Sequence, residues 1–376
     1  MHTKRYKVLH IIYDMSTAGA QTVVMNLLRN MKDDSLFDVS LLIRDRAKKT
    51  EYETELTREG YNVVYSGYEP TEKYGVFRPV INWIRCQKAI YKAIKKVDPD
   101  IVHTHIANIL PFCVLPIWSA GIKIKVHTLH SDPYALPKRY NLWTKIAIRV
   151  FKFFPVCVTS DQQIKAKKKY GFNESVIIRN GLDTQLYKKP SISRDDLRDM
   201  YFIPKDAFVI GYVGSLYSTK NIGYLINSFN NVLRIKNNSR LIIVGDGADC
   251  EKLKCQCREL GIHEKVIFTG EQKDVVSFYH AMDVFVLPSL YESSSIVTVE
   301  AQLCGVRCVV SDAVPVDVII SENVNRISLD SPHEIWTNAI MGKIPRENPV
   351  HKERDFSILN SINELEKLYE SLLNEN

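Results

Sequence analysis

Short apolar runs alternate with amphipathic stretches along almost the whole chain, and this alternation limits the fold more than any other sequence feature. The runs predict strands at Val8–Tyr13, Val39–Ile43, Asn62–Tyr65, Ile101–Thr104, Lys123–Leu129, Val156–Thr159, Val209–Gly214, Leu241–Gly245, Val266–Thr269, Val284–Pro288 and Arg307–Ser311. The amphipathic stretches predict helices near Gln21–Met31, Pro79–Lys96, Leu110–Ala120, Tyr140–Phe154, Ile222–Lys236, Glu251–Leu260, Val275–Ala281, Ile296–Cys304 and Phe356–Asn374. Strands with Val and Ile on both faces, separated by helical segments, are typical of parallel sheets that helices cover on both sides. We therefore predict an α/β fold with doubly wound parallel sheets.

The alternation is interrupted near Tyr187–Pro204 by a polar, charged stretch. A chain of 376 residues also fits two domains of about 150–200 residues better than one. We predict a first domain over residues 1–187 and a second over residues 188–345. Residues 346–376 are predicted to form a segment and a helix that return to the first domain.

Composition restricts the class of protein without identifying it. No apolar run reaches the ~20 residues that span a bilayer, and the N-terminus lacks a small-residue cleavage site. The eight cysteines are scattered without paired zinc spacing, so we expect a cytoplasmic protein with reduced thiols. The net charge of +7 indicates an anionic partner. A phosphate-bearing substrate and an anionic membrane surface both stay open, whereas no nucleic-acid-binding module is recognisable.

Ligands of parallel sheets bind beyond the carboxyl ends of the strands, so residues that follow strands are the candidates. After the first strand, Gly19 lies in a turn of small residues where backbone N–H groups and a helix dipole could meet a phosphate. A tight turn without a ligand is the open alternative. No G-x-G-x-x-G is present, which disfavours a nicotinamide cofactor. Asp98 and Asp100 precede their strand, so we interpret this pair as structural.

Histidines are concentrated where two neighbouring strands end; they are His103, His105, His127 and His130. Such a group could bind a metal, but no carboxylate with ligand spacing accompanies it, and we predict none. Because side chains alternate along a strand, His127 and His130 are expected to face differently. His130, in the loop after the strand, is the better placed to meet a ligand, and a purely structural role stays open.

In the second half of the chain, charged residues also follow predicted strands. Lys220 follows a strand that ends in Gly214, and near a helix N-terminus it would supply a positive charge for a diphosphate. The turn Gly245-Asp246-Gly247 lets backbone approach a flat ligand. Glu292 follows another strand, and Glu300 comes eight residues later.

The three serines between these glutamates would supply backbone N–H groups and a helix N-cap. One carboxylate could then reach a sugar and the other a ribose. Two surface glutamates that flank a capped helix are the alternative.

Together these residues resemble the retaining family 4 glycosyltransferases, in particular bacterial exopolysaccharide and capsule enzymes. The matching segments are Ala18-Gly19-Ala20-Gln21, His130, Asn180-Gly181-Leu182-Asp183, Lys220, Gly245-Asp246-Gly247, Phe268-Thr269-Gly270 and Glu292 through Glu300, the last of which matches E-x7-E. The resemblance covers nearly the whole chain. It implies the GT-B fold, in which two Rossmann-like doubly wound domains face a central cleft.

The resemblance also implies a chemistry. The donor would be a nucleoside diphosphate sugar, with UDP favoured, and the acceptor a hydroxyl of a glycan or a lipid-linked molecule in cell-surface polysaccharide biosynthesis. The sugar would be a hexosyl or N-acetylhexosaminyl unit, transferred with retention and without metal or cofactor. His130, Lys220 and Glu292 would be catalytic. The implied donor-binding residues are Gly19, Gly214, Ser215, Lys220, Asp246, Gly247, Thr269, Gly270, Ser293, Ser294, Ser295, Ile296 and Glu300.

Some positions depart from the family pattern. Ser215 stands where an arginine is usual, Ala18 replaces a glycine, and Ser294 and Ser295 replace residues that are commonly apolar and Gly or Pro. A catalytically silent relative that acts as a scaffold therefore stays open. A sugar-nucleotide 2-epimerase shares the architecture, although E-x7-E argues against it.

A cationic, aromatic stretch of the first domain is predicted to form a helix, and it contains Lys138, Arg139, Trp143 and Lys145. Such a surface suits an acceptor or anionic lipid headgroups, which would place the protein peripherally on the inner face of the membrane. A core helix with a solvated basic face is the alternative.

Overall fold

The structure is a computed structural model that describes residues 5–15, 19–31, 36–44, 50–344, 349 and 351–375. The strands are β1 (Tyr6–Ile12), β2 (Phe37–Ile43), β3 (Asn62–Tyr65), β4 (Ile101–His105), β5 (Ile124–Leu129), β6 (Phe154–Cys157), β7 (Val176–Ile177), β8 (Phe208–Val213), β9 (Ser239–Val244), β10 (Val266–Gly270), β11 (Val284–Leu287), β12 (Arg307–Ser311) and β13 (Val324–Ile327). The helices are α1 (Gly19–Asn30), α2 (Glu51–Arg58), α3 (Arg78–Val97), α4 (Leu110–Ser119), α5 (Lys138–Arg149), α6 (Ser160–Tyr170), α7 (Arg194–Met200), α8 (Ile222–Ile235), α9 (Cys250–Glu259), α10 (Val275–Ala281), α11 (Ile296–Leu303), α12 (His333–Ile340) and α13 (Ile358–Asn374).

The first compact unit comprises residues 1–182 and 355–376. Its seven strands are parallel and follow the order β3-β2-β1-β4-β5-β6-β7. On one face α3, α4 and α5 share a buried apolar cluster with the strands, through Ile90, Val114 and Ala147. On the other face α13 docks through Tyr369, whose ring meets Phe37 edge-on with centroids 5.3 Å apart. The order of the strands reverses between β1 and β4.

The second compact unit comprises residues 183–354. Its six parallel strands follow the order β10-β9-β8-β11-β12-β13, so the order reverses between β8 and β11. Its inner strands β8, β9, β11 and β12 are almost wholly buried, in keeping with runs that are apolar on both faces. The predicted α/β class with two doubly wound parallel sheets is confirmed.

The division between the units differs slightly from the prediction at 187/188. Leu182 pairs with the returning segment, because its N–H donates to the carbonyl of Phe356 at 2.8 Å. Tyr187 instead hydrogen-bonds to Glu300 of the second unit. The return to the first unit begins at Asp355, later than residue 346.

Several short elements differ from the sequence prediction. The helix predicted over Tyr140–Phe154 ends at Arg149, because Lys152 has a φ of +58° and Phe154 already begins β6. The strands β7 and β13 were not predicted, since one has two residues and the other interrupts its apolar run with Asn325 and Arg326.

Two general expectations can also be compared with the structure. Of the helices in the described ranges, none is long and apolar enough to cross a membrane. All eight cysteines carry free thiols.

Candidate active site

The strand order of the second unit brings its two main charged candidates together. Lys220 follows β8, and Glu292 follows β11, the strand that pairs with β8. The order reverses between these strands, so their connections diverge, and doubly wound sheets bind ligands beyond the carboxyl edge at such a position. The sequence placed both residues after strands, and the topology makes those strands neighbours.

Lys220 and Glu292 form a hydrogen-bonded ion pair. The Lys220 Nζ donates to Glu292 Oε1 at 2.7 Å, and the two side chains are 23% and 7% exposed. The loops that carry them are joined directly, because the Leu290 N–H donates to the carbonyl of Thr219 at 2.8 Å. Since a charge-assisted bond of this length is strong and largely shielded from water, the ammonium is held in place. It lies in a 3₁₀ turn directly before α8, as the sequence predicted.

Tyr212 supports this loop from beneath. Its hydroxyl donates to the carbonyl of Ser215 at 2.9 Å. Burial raises the pKa of Tyr212 well above its usual value, and the nearby charge of Glu292 raises it further. The hydroxyl therefore stays a neutral donor, and Ser215 is held through its backbone.

Glu300 lies in α11 and is 8% exposed. Its two carboxylate oxygens accept hydrogen bonds from Tyr187 and Tyr279, each at 2.9 Å. Burial raises the pKa of Glu300, while the two hydroxyl donors act in the opposite direction. The carboxylate is thus anchored by two tyrosines that the sequence did not single out, because they lie far from Glu300 in the chain. Its predicted contact with a ribose stays a prediction.

The serine loop between the glutamates differs in one detail from the prediction. Ser294 and Ser295 are buried, and Ser295 occupies the N-cap position of α11 with a φ of +34°. Its hydroxyl makes no capping bond and instead lies 2.8 Å from the hydroxyl of Thr298. The prediction of a side-chain cap is therefore wrong, because the left-handed backbone turns the hydroxyl away from the N–H groups of the first turn. Ser293 precedes this pair, and Ile296 begins the helix.

The glycine turn after β9 serves the protein's own packing. A Cβ on Gly245, whose φ is +127°, would lie 2.0 Å from the carbonyl oxygen of Gly214. A Cβ on Gly247 would lie 2.5 Å from the carbonyl oxygen of Leu216. The glycines therefore allow the loop after β9 to contact the loop after β8, and the predicted contact of Asp246 and Gly247 with a donor stays a prediction. Asp246 is exposed, and its carboxylate accepts the Gly247 N–H at 2.7 Å.

The end of β10 is tied to the same turn. The Gly245 N–H donates to the carbonyl of Gly270 at 2.8 Å, and the Thr269 hydroxyl donates to that carbonyl at 3.0 Å. β10 is an edge strand, separated from β8 by β9. The predicted contact of Thr269 and Gly270 with a base is compatible with this rim position and stays a prediction.

In the first unit, histidines line the corresponding reversal between β1 and β4. His10 lies in β1 opposite His103 of β4. His10 Nδ1 is 2.9 Å from His105 Nε2, and His105 Nδ1 is 3.1 Å from His130 Nε2. Three imidazoles thus form a hydrogen-bonded chain that ends at His130. The sequence did not single out His10, although it lies beside His103 on the same face of the sheet.

The remaining histidines have separate partners. His103 lies between two hydroxyls, those of Tyr369 and Thr128, each 2.6 Å from a ring nitrogen. His127 Nδ1 lies 2.9 Å from the hydroxyl of Thr104, so His127 and His130 face differently, as expected. Burial lowers the pKa of His10 and His130 to about 4 and that of His127 to about 3.

Three of these rings could in principle share a metal ion. Nitrogens of His10, His103 and His105 lie within 4.8 Å of one another. Both nitrogens of His103 and of His105 already have hydrogen-bonding neighbours, so an ion would have to displace several of these bonds. The arrangement favours a hydrogen-bonded network of neutral imidazoles.

Gly19 is the first residue of α1, while Ser16, Thr17 and Ala18 lie outside the described residues. The described residues on either side of this segment are connected, because Gln21 Nε2 donates to Asp14 Oδ1 at 3.2 Å. The predicted role of Gly19 in anion binding stays a prediction.

The basic stretch of the first unit is only partly a free surface. Lys138, Arg139 and Lys145 are exposed on α5. Trp143 is partly buried and packs against the apolar cluster beneath α3, α4 and α5, so much of its ring is not available as a surface anchor. For this tryptophan, the core-helix alternative is the one that the structure supports.

Comparison with known proteins gives the same two-part division. Residues 17–186 match the family model described as Glycosyltransferase Family 4, and residues 193–342 match the one described as Glycosyl transferases group 1. EpsF of Bacillus subtilis (strain 168) is 26% identical over 356 residues, which cover 90% of this chain and 88% of EpsF. The UDP-Gal:alpha-D-GlcNAc-diphosphoundecaprenol alpha-1,3-galactosyltransferase of Escherichia coli is 27% identical over 324 residues, which cover 83% of this chain and 80% of that enzyme.

Solved structures share the fold. HepE of Anabaena, in a crystal structure with UDP-glucose, superposes with a TM-score of 0.82 at 18% identity, covering 98% of this chain and all of the HepE chain. WaaG, a glycosyltransferase involved in lipopolysaccharide biosynthesis, superposes with a TM-score of 0.66 at 14% identity, covering 95% and 94%. At these identities the likeness concerns the fold alone.

Proposed function

Because the chain belongs to the glycosyltransferases that join a family 4 domain to a group 1 domain, we propose that it transfers a sugar from a nucleoside diphosphate sugar to an acceptor hydroxyl. The observation that carries this proposal is the Lys220–Glu292 pair at the strand-order reversal of the second unit. A half-buried, prepositioned ammonium beside a helix N-terminus suits the charge that develops on a departing diphosphate.

The chemistry of the step follows from that charge. As the bond between the anomeric carbon and the diphosphate oxygen breaks, negative charge accumulates on the diphosphate. Lys220 and the N-terminal end of α8 would stabilise it, in the place where other enzymes use a metal ion. Glu292 would accept hydrogen bonds from sugar hydroxyls when Lys220 also contacts the diphosphate of the bound donor. The contact of His130 with the sugar is a prediction of the family resemblance.

Names of similar proteins support a choice of donor and acceptor. The E. coli relative is named for UDP-Gal and for a diphosphoundecaprenol acceptor, and HepE was crystallised with UDP-glucose. We propose a UDP-hexose or UDP-N-acetylhexosamine as donor, a glycan or lipid-linked hydroxyl as acceptor, and cell-surface polysaccharide as the product. The exposed Lys138, Arg139 and Lys145 are proposed to approach an anionic acceptor.

Retention and metal independence are proposed from the family. The anomeric configuration of the product, read from its proton NMR spectrum, should match that of the donor. Turnover should persist in excess EDTA. Inversion of the configuration would contradict the proposed mechanism, and loss of activity in EDTA that added Mg²⁺ restores would contradict metal independence.

Turnover of UDP-sugars separates the proposal from its alternatives. The enzyme should release UDP much faster when a lipid-linked acceptor is present than when it is absent. A silent scaffold would release no UDP under either condition. An epimerase would convert the donor sugar without any acceptor, which sugar analysis of the recovered nucleotide would detect.

A further inference from the structure

An unusual share of apolar surface is exposed at and before the start of α3. Phe77, Val80, Ile84 and Tyr91 are 69%, 58%, 42% and 38% exposed, and Val76 is 87% exposed. Residues three, four and seven apart lie on one side of a helix, so these side chains form a single strip. We call the side chains of Val76, Phe77, Val80, Ile84 and Tyr91 the α3 strip. Contiguous exposed apolar groups of this kind mark contact surfaces, whereas scattered single residues do not.

The α3 strip is flanked by positive charge. The helix carries no aspartate or glutamate. Its basic residues are Arg78, Arg85, Lys88, Lys92, Lys95 and Lys96. By helical spacing, Arg78, Arg85 and Lys92 repeat every seven residues and follow one side of the strip. Arg78 forms an ion pair with Glu72 of the preceding loop, so the positive charge of this flank rests on Arg85, Lys88 and Lys92. An apolar strip beside cationic side chains is the pattern of a helix that lies in the plane of an anionic bilayer surface.

The surface is held rigidly by the rest of the unit. On its inner side α3 buries Cys86, Ile90 and Ile94 in the apolar cluster. Asn82 fixes the preceding loop, because its side chain accepts the Thr71 N–H at 2.9 Å and donates to the Thr71 carbonyl at 3.1 Å. The exposed apolar residues are therefore not a frayed end of the helix that could fold inward.

We propose that the α3 strip and its basic flank dock the protein on an anionic lipid bilayer. Phe77 and the other apolar side chains would enter the headgroup region, while Arg85, Lys88 and Lys92 contact lipid phosphates. A second copy of the chain fits less well, because self-pairing along this face would bring two sets of like charges together. The inference deepens the proposed function and rests on it for its purpose, since a lipid-linked acceptor lies at a membrane. The binding test does not depend on turnover.

The test uses the full chain and vesicles of phosphatidylcholine, alone or mixed equally with phosphatidylglycerol. Wild type should co-sediment with the mixed vesicles and release as salt is raised. Each lipid-facing basic residue should add about fivefold to binding, so Arg85→Gln with Lys88→Gln should lose roughly 25-fold. Phe77→Gln with Ile84→Gln should lose at least about tenfold, because two apolar side chains no longer enter the bilayer.

Matched controls are available on other helices. Ile164→Gln removes an apolar side chain that is 68% exposed on α6, and Lys252→Gln removes a charge from α9. Both controls should bind vesicles as wild type does. Absence of wild-type binding to mixed vesicles, or equal losses in the controls, would overturn the proposal.

Two further results would assign the surface to another partner. Concentration-dependent dimerisation that Phe77→Gln with Ile84→Gln abolishes, without vesicle binding, would indicate a second copy. Retention on immobilised polyglutamate together with no vesicle binding would indicate an acidic protein. In each case UDP release measured without vesicles separates failure of docking from failure of the proposed enzyme activity.

Discussion

Replacement of Lys220 with Met removes one ammonium while most of the side-chain volume remains. That ammonium lies 2.7 Å from Glu292, whose side chain is 7% exposed. The loss of one prepositioned charged donor should lower turnover by about 10²–10³-fold. The folded state also loses the partner of a largely buried carboxylate. Since the lysine site is 23% exposed and water can enter, we expect a stability loss of about 1–3 kcal/mol rather than the full cost of a broken buried pair.

The two effects can be separated in one set of variants. A Lys220→Met, Glu292→Gln double variant removes both charges, so it should recover much of the stability without recovering turnover. Lys254→Met is the control, because Lys254 pairs with Glu251 at 2.8 Å on the exposed side of α9. Exposed pairs of this kind contribute little, so neither stability nor turnover should change appreciably.

Turnover is measured as acceptor-dependent UDP release, and stability by urea denaturation followed by fluorescence. Full turnover in Lys220→Met would refute the role of this ammonium. An equal loss in Lys254→Met would show that the effect is a general one of removing a lysine.

The buried histidines, the Glu300 carboxylate and the Gly245 turn can each be perturbed separately. Lowering the pH from 7 to 5 should destabilise the first unit by about 2 kcal/mol for each of His10 and His130. Their pKa of about 4 in the folded state lies below the value of about 6.5 in the unfolded state, so the unfolded chain binds protons first. An unfolding midpoint that does not change over this pH range would contradict the buried histidine network. Tyr279→Phe should reduce the affinity for a UDP-sugar and lower the urea midpoint, because Glu300 loses a buried hydrogen-bond donor at a cost of about 1–3 kcal/mol in folding stability. An unchanged midpoint in calorimetric or urea unfolding would be inconsistent with that hydrogen bond. Gly245→Ala should be far more destabilising than Gly261→Ala, because a Cβ at Gly245 would lie 2.0 Å from a backbone oxygen. A Cβ at Gly261 has open space around it, so this variant costs only the left-handed backbone strain of about 1–2 kcal/mol. Equal urea midpoints for the two variants would show that the close approach of the two loops does not limit stability.

Much of the fold could be predicted because buried parallel strands leave a strong apolar pattern. Asn62–Tyr65 and Arg307–Ser311 are predicted to the residue, and Val275–Ala281 is predicted as a helix with the same limits. The prediction failed where an element was too short or too polar to show a period. The two-residue strand β7 and the polar helix α7 are of this kind. The strand order itself has no local signal, since it depends on pairings between distant segments.

In the candidate site, too, the contacts between distant segments could not be predicted from the sequence. Lys220 and Glu292 could be found because each follows an apolar strand, but their contact required the pairing of β8 with β11. Tyr187 and Tyr279 could not be found, because no motif connects them to Glu300. The α3 strip was missed for a different reason. Its periodicity predicts a helix correctly, but only the packed structure shows that its apolar side chains stay outside the core.

Lys220 and the N-terminal end of α8 are proposed to bind the diphosphate of a nucleotide donor. Calorimetric titration of the wild-type protein with UDP, UMP and uridine measures this binding without turnover. We predict saturable binding of UDP, with UMP weaker by at least about tenfold because it lacks the second phosphate that Lys220 would contact. Equal affinity for UDP and UMP, or no binding of UDP at all, would contradict it.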